Sequence, residues 1–213
     1  MIIKKSVITS ILKIYDFFKK YKKEISIIRI YFCIGICAVI WIINGIYIFQ
    51  AFRDHITSEA YMHIGLSIFF SLLALELIIG RYGAWMHFDF FWFEIIGWFL
   101  FIPSIIFVIS SMIELKRKGK SKGTDFTATT TFIKSGIYNF LRQPMTLGVA
   151  IWSIALILVF QSILAIILSL ISFFCFWMSA IKESEYNISK FGDDYKEYMK
   201  KVPMWNILKG VKK

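Results

Sequence analysis

Cysteine, histidine and proline occur three times each in 213 residues, and each scarcity removes a class of structure. Cys33, Cys37 and Cys175 all lie in apolar stretches, where they read as small core residues. No disulfide framework follows from them, and no zinc-type spacing accompanies them. His55, His63 and His87 are scattered through the first half without ligand or relay spacing, so no metal site is expected. The second half has no histidine at all, which leaves Glu183, Glu185 or water as bases there. Acidic residues are also few, 14 against 25 lysines and arginines. The resulting +11 charge does not make a nucleic-acid binder. Nearly all the basic residues flank apolar runs, and no basic patch alternates with exposed aromatics. Nor is there a convincing secretory leader, because Lys13 interrupts a short apolar stretch and no small-residue cleavage site follows.

What the chain has in excess is hydrophobic side chains, 58% of the total, with 18% aromatic. A soluble domain is nearer half apolar. Here the excess falls in long unbroken blocks, which reads as an integral membrane protein. Lipid offers no partner to a free backbone N–H or C=O, so the spans must be helical. The expected fold is an all-α integral membrane protein with about five transmembrane helices, completed by a C-terminal helical hairpin and an interfacial cytosolic helix. Residues 1–30 form an amphipathic basic N-terminal helix. Val7, Ile8, Ile11, Leu12, Tyr15 and Phe18 recur at helical spacing, while Lys13, Asp16, Lys19, Lys20 and Lys23 fall largely on the other side. Residues 31–113 hold three spans, 31–52, 61–79 and 90–113, the last with Pro103 as an expected kink. Residues 114–213 form the C-terminal region: a polar, basic loop over 114–142, an apolar hairpin over 145–181 and a charged amphipathic helix over 183–202, ended by Pro203. The hairpin is too long for one span and carries Gln161-Ser162 at its centre.

The excess of Lys and Arg places the loop and the last helix in the cytosol. Three spans then separate them from the basic N-terminus. Either the N-terminus departs from the charge rule, or the stretch 85–113 does not cross once. Glu76 and Glu94 lie at the ends of their spans, beside the 80–89 connection. A structural pairing of either with Arg81 is expected there, since snorkelling is cheap near the interface.

The most polar, turn-prone cluster abuts the longest apolar stretch. Gly136-Ile137-Tyr138, Arg142-Gln143-Pro144 and Gly148 resemble the G-x-Y-x-x-x-R-H-P-x-Y-x-G signature of the membrane isoprenylcysteine carboxyl methyltransferases and phospholipid methyltransferases. Further on, Glu183, Phe191-Gly192-Asp193-Asp194-Tyr195-Lys196-Glu197-Tyr198 and Val202-Pro203 are similar to that family's E-E-x(6)-F-G-x-x-Y-x-x-Y-x-x-x-V-P ending. The tail Leu208-Lys209-Gly210-Val211-Lys212 resembles that of the isoprenylcysteine enzymes. The resemblance covers about residues 123–213. It implies S-adenosyl-L-methionine as methyl donor, held by Thr130, Thr131, Phe132, Ile133 and Tyr138, then by Gln143, Pro144, Met145 and Thr146, with Glu183 at its amino-acid end. The family's R-H-P histidine is Gln143 here, its following tyrosine is Thr146 and its second glutamate is Ser184. A histidine early in the loop motif is Thr130. The arginine expected to hold an acceptor carboxylate aligns with Ser179, and Lys182, three residues on, can replace that charge.

Physical logic gives the same placement. A cationic, water-soluble donor must meet a lipid-tailed acceptor, so the site belongs at the bilayer edge. Pro144 lacks an N–H and suits the first turn of a helix. That helix N-terminus favours a carboxylate, and Glu183 at the hairpin's other end suits an ammonium. Arg142 and Glu183 are therefore the candidate catalytic residues, with Ser179 and Lys182 facing the acceptor. The expected activity is carboxyl O-methylation of a C-terminal S-isoprenylcysteine, since a carboxylate is already ionised at neutral pH and needs no base. The partners are then the lipid bilayer and a prenylated protein C-terminus. Phospholipid N-methylation, an NADPH-dependent membrane reductase and a non-catalytic membrane scaffold are the alternatives. The host membrane is the endoplasmic reticulum in a eukaryote or the inner membrane in a bacterium. Asn187-Ile188-Ser189 is a glycosylation sequon that this topology keeps in the cytosol. Expression with microsomes is expected to leave Asn187 bare; a glycan there, seen as an endoglycosidase-sensitive mass shift, inverts the topology.

Overall fold

A computed structural model describes residues 2–118 and 132–211, with side chains from 26 to 118 and from 132 to 210. Thr130 and Thr131 lie outside the described residues. All regular elements among the described residues are helical: α1 (Ile2–Arg53), α2 (Thr57–Ile78), α3 (Phe91–Lys118), α4 (Pro144–Phe160), α5 (Ile163–Phe191), α6 (Asp193–Lys201) and α7 (Ile207–Val211). Four segments are long and apolar enough to cross a membrane, namely Ser26–Arg53, Thr57–Tyr82, Phe91–Lys118 and Ile163–Phe191. A fifth apolar helix packed among them, α4, is shorter at 17 residues. The all-α membrane class is therefore what the chain folds into. The stretch over 1–30, read as a separate surface helix, runs without a break into the first span.

The long helices pack in the order α1, α2, α5, α4, α3. Small residues set the distances. Gly148 on α4 leaves room for Ser104 on α3: a Cβ at 148 would stand 2.9 Å from the Ser104 carbonyl oxygen. The Ser104 hydroxyl in turn donates to the Gly148 carbonyl at 2.6 Å. Ser172 on α5 does the same to the Gly65 carbonyl on α2 at 3.2 Å. Glycine and serine let helix backbones meet closely where lipid gives no hydrophobic drive to associate. Phe69, Leu72, Val149, Ala150, Leu156, Phe160, Ala165 and Phe176 form the core among α2, α4 and α5. The outward faces of α1 and α3 carry exposed Ile, Phe and Trp, the pattern of a lipid-facing surface.

Two ends of the bundle are defined by their contacts. At the far end, the guanidinium of Arg29 stacks 3.3 Å over the Tyr82 ring. There the Gln161 side chain is clamped on the backbone of Phe90, accepting at 2.9 Å and donating at 3.0 Å. Gln161 itself turns the hairpin at φ +49°, and Ser162 caps α5 by accepting from the Ala165 N–H. At the opposite end, the Ser179 hydroxyl donates to the Ser58 carbonyl at 2.8 Å, tying the end of α5 to the start of α2. α3 runs the whole distance from one end to the other. The stretch 85–113 thus runs the length of the bundle once, and the start of the first apolar segment lies at the end opposite the site described below.

Glu76 is fully buried, but Arg81 is not its partner. Its carboxylate accepts from the Trp85 indole at 3.2 Å, from the Ser162 hydroxyl and from the His87 imidazole at 2.9 Å. The chain geometry explains the difference: the Gly80–Tyr82 turn leaves Arg81 exposed and folds residues 85–88 back over the bundle, where Phe88 N–H donates to the Gln161 carbonyl at 2.8 Å. Glu94 takes a hydrogen bond from Trp98, one turn along its own helix, at 3.4 Å. A buried carboxylate held by three donors closes the far end. Replacing it strands those donors, so Glu76→Ala is expected to cost about 3–5 kcal/mol, read as a large loss of melting temperature in nanodiscs. Arg81→Ala is expected to change stability by less than about 0.5 kcal/mol.

Candidate functional site

The site is assembled at the end of the bundle where α3 finishes and α4 begins. Glu114 on α3 receives the returning chain: it accepts from Ser135 at 3.4 Å and pairs with Lys118 at 3.2 Å. Gly136, at φ +60°, passes so close to Glu114 that a Cβ there would collide with the carboxylate. The short turn Gly136–Asn139 then brings the Tyr138 phenol beside Ser111 and Glu183. Leu141 is buried, and Arg142 and Gln143 lead directly into Pro144, the first residue of α4. A proline there loses no helical hydrogen bond, and three N–H groups of the first turn stay available.

From the other side, α5 runs past its last apolar turn and delivers Glu183, Ser184 and Asn187. Gly192, at φ +63°, breaks the helix, and α6 folds back to present Tyr195 and Tyr198. The two halves meet at the Tyr195 phenol, which Asn187 approaches at 3.5 Å and which lies in the fields of both Glu183 and Arg142. One guanidinium nitrogen of Arg142 donates to Ser184 at 3.4 Å. The side-chain amides of Gln143 and Asn187 lie beside the Glu183 carboxylate. Arg142 and Glu183 thus share one small volume. Tyr198 closes it by donating to the Tyr138 carbonyl.

Phe132 packs at the centre of an aromatic group, with ring centroids 5.1 Å from Phe191, 5.4 Å from Tyr195 and 5.6 Å from Tyr198. Burial pushes the phenols of Tyr138, Tyr195 and Tyr198 above their ordinary range, and for Tyr138 the Glu183 carboxylate pushes further. They stay neutral donors at physiological pH. Beside the group, Lys118, Phe132, Ile133, Lys134 and Ser135 line an open cleft of about 390 Å³. Among the described residues, two buried donors have no acceptor in close hydrogen-bonding geometry: Nε of Arg142, and Nε2 of Gln143, which only stands beside the Glu183 carboxylate. Adjacent unpaired donors facing a carboxylate suit a ligand that carries both charges, such as the amino-acid end of S-adenosylmethionine. The residues present fit that group.

The remaining sequence candidates are distributed around this centre. Ile133 is buried, and Met145 is half-buried on the first turn of α4. The Thr146 hydroxyl donates to the Gln143 carbonyl at 3.0 Å and accepts from the Trp205 indole at 3.2 Å. Ser179 is buried, with its hydroxyl turned to α2. Lys182 points outward and pairs with Glu185 at 2.8 Å. Ser184, Asn187, Tyr195, Tyr198 and Trp205 were not among the candidates. For Asn187 a signal existed, since it stands one helical turn from Glu183 on the same face. For Tyr195 and Tyr198 the reversal at Gly192 decides the matter.

Residues 92–194 match the phospholipid methyltransferase family. The matched stretch runs from α3 into α6 and contains Arg142, Gln143 and Glu183. It begins earlier than the resemblance read from the motifs, because α3 is part of the same unit. Over 84 residues the chain is 34% identical to the protein-S-isoprenylcysteine O-methyltransferase of Xenopus laevis, covering 38% of this chain and 29% of that protein. Over 154 residues it is 27% identical to the protein-S-isoprenylcysteine O-methyltransferase of Homo sapiens, covering 65% and 54% respectively. The chain therefore spans about half the length, or less, of these curated relatives. No solved structure matches it at a significant level. The Tyr198 hydroxyl is the strap between α6 and the loop. Tyr198→Phe is expected to cost about 1 kcal/mol and to raise proteolysis within 132–142, measured by limited digestion in nanodiscs.

Proposed function

We propose that the protein is an S-adenosylmethionine-dependent methyltransferase that esterifies the carboxylate of a C-terminal S-isoprenylcysteine at the membrane interface. The observation that carries this reading is the meeting of Arg142, Gln143 and Glu183 at one end of the bundle, with two buried donors left without a partner among the described residues. The similarity to isoprenylcysteine methyltransferases over the same region supports it. Bound there, the donor would supply an electrophilic methyl group. Glu183 would hold its ammonium, while Gln143, Arg142 and the first turn of α4 would hold its carboxylate. Thr130, Thr131, Phe132, Ile133, Tyr138, Pro144, Met145 and Thr146 complete the proposed donor contacts. Displacement at a sulfonium needs alignment and exclusion of water more than proton transfer. The buried, neutral phenols of Tyr138, Tyr195 and Tyr198 suit that role, because they add no competing charge. Ser179 and Lys182 are the proposed acceptor contacts, and Lys182 would serve as the cation there by leaving its pairing with Glu185. The site end is then cytosolic, in the endoplasmic reticulum of a eukaryote or the inner membrane of a bacterium. The partner is a prenylated protein C-terminus.

One observation favours a second reading. Glu59 on α2 lies in the field of Glu183, and Ser179 carries no charge where the resemblance implies an arginine. Two carboxylates near the acceptor suit an ammonium headgroup, and one of them can take the proton that the amine must lose before it attacks the methyl group, which points to phospholipid N-methylation.

Both are tested with protein in nanodiscs, labelled S-adenosylmethionine, N-acetyl-S-farnesylcysteine and phosphatidylethanolamine. Methyl ester on the farnesylcysteine is expected. Label on phosphatidylethanolamine alone moves the assignment to the second reading, and no label on either removes the methyltransferase. Glu183→Gln keeps the shape and deletes the charge. It should raise the KM for the donor and lower kcat/KM by about a hundredfold, a loss of about 2.7 kcal/mol.

A further inference from the structure

The face of α6 that meets the loop carries charges of both signs at helical spacing. Asp194, Glu197 and Lys201 recur at i, i+3 and i+7, with Tyr198 among them, so they share one side of the helix. With Lys134 and Asn139 from the loop they line a cleft of about 180 Å³. Asp193, one position earlier, is already taken by Lys196 at 2.8 Å. The charges of the cleft are not. Among the described residues, no ion pair includes Lys134, Asp194, Glu197 or Lys201. Lys134 stands 4.5 Å over the Phe132 ring instead. Glu197 and Lys201 are separated by about 6 Å of helix at 1.5 Å per residue. A phosphate joined to an ammonium through an ethylene link can bridge that span.

An apolar rim adjoins these charges. Past Lys201 the Pro203 carbonyl accepts from the Arg142 N–H at 3.0 Å, and Trp205 meets Phe173, in the apolar part of α5, at 5.9 Å. The chain therefore descends from the cleft toward the hydrocarbon. α7 follows in a fixed position. The Asn206 side chain accepts from the Lys209 N–H at 3.0 Å, and Gly210 lies so close to Phe140 that a Cβ there would collide with its carbonyl oxygen. Phe140 is the neighbour of Asn139 in the cleft. Around this contact Phe140, Ile207 and Leu208 all stay exposed, Leu208 to 76%. Apolar side chains left open beside paired charges of opposite sign fit a molecule that has a dipolar head and a greasy body.

We propose that this cleft holds the headgroup of a zwitterionic phospholipid, with the acyl chains against Phe140, Ile207 and Leu208. Lys134 and Lys201 bind the phosphate, while Asp194 and Glu197 accept from the ammonium. An anionic lipid has no cation to offer the two carboxylates and binds less well. The apolar rim makes the occupant a lipid and not a soluble zwitterion. It is a bound component of the fold and not the methyl acceptor, since neither Arg142, Gln143 nor Glu183 lines the cleft.

The test is native mass spectrometry of the full chain, delipidated in detergent and titrated with phosphatidylethanolamine or phosphatidylglycerol in the absence of S-adenosylmethionine. Phosphatidylethanolamine should be retained at least about fivefold more tightly than phosphatidylglycerol. Asp194→Asn combined with Glu197→Gln should remove that preference. Lys134→Gln combined with Lys201→Gln should weaken both lipids by about fivefold. All four side chains are exposed, so these variants keep the packing of the bundle. Leu208→Ser should weaken both lipids without changing the preference. Glycerophosphoethanolamine, the same head without chains, should fail to displace the lipid. Equal retention of the two lipids by the wild-type protein overturns the site, and so does an unchanged preference in the Asp194 and Glu197 variant. Displacement by glycerophosphoethanolamine as readily as by lipid overturns the lipid as occupant. Displacement by a soluble mixed-charge peptide and by no lipid overturns it as well and makes the cleft a peptide site. No donor is present, so a failure here leaves the methyltransferase reading standing, and a failure of methyl transfer leaves the lipid site standing.

Discussion

A bilayer interior has no water to satisfy a polar group, and the rest of this structure follows from that. Backbone groups are satisfied within helices, and side-chain charge is driven to the two ends of the bundle. The ends are used differently. At one, Glu76 is saturated by Trp85, His87 and Ser162, so the polar groups close on themselves. At the other, satisfaction is incomplete. Of the four buried side-chain atoms that lack a partner among the described residues, those of Arg142 and Gln143 are neighbours at this end, and those of Trp152 and Ser169 lie within the bundle. Buried donors without partners at one end are what the proposed function uses to hold a ligand.

Close approach of α4 to its neighbours is what brings that chemistry together. Gly148 against Ser104 and Gly97 against Ala155 allow α3 and α4 to touch backbone to side chain. The α4–α5 turn at Gln161 is fixed to Phe90. With the hairpin pinned at its turn, Gln143 at the start of α4 and Glu183 near the end of α5 come level. Gly192 then returns the chain over them. Each step is local, and the site is their sum.

Much of this was legible in the residue order. Apolar blocks marked the helices, Gln161-Ser162 marked the hairpin turn, and Pro144 marked the start of α4. The pairing of Arg142 with the Glu183 turn followed from the hairpin alone. What escaped had no local signature. Nothing near Glu76 indicates that His87 and Ser162, the latter 86 residues on, would meet it, and Arg81 lay nearer in sequence. Tyr195 and Tyr198 were legible only as members of a motif, and nothing in the residue order marked Trp205. Their roles depend on the direction in which the chain leaves Gly192 and Pro203, which only the folded backbone shows.

The brevity of α4 has a consequence of its own. Seventeen residues rise about 25 Å, while the apolar slab of a bilayer is about 30 Å thick. The shortfall must be absorbed by thinning the membrane locally or by sinking a polar terminus beneath the headgroups. Either way, the vertical distance between the candidate site and the acyl region shrinks around this helix. Under the proposed function, a greasy substrate then needs to be lifted less far out of its preferred medium, and the mismatch itself lowers the work of delivery.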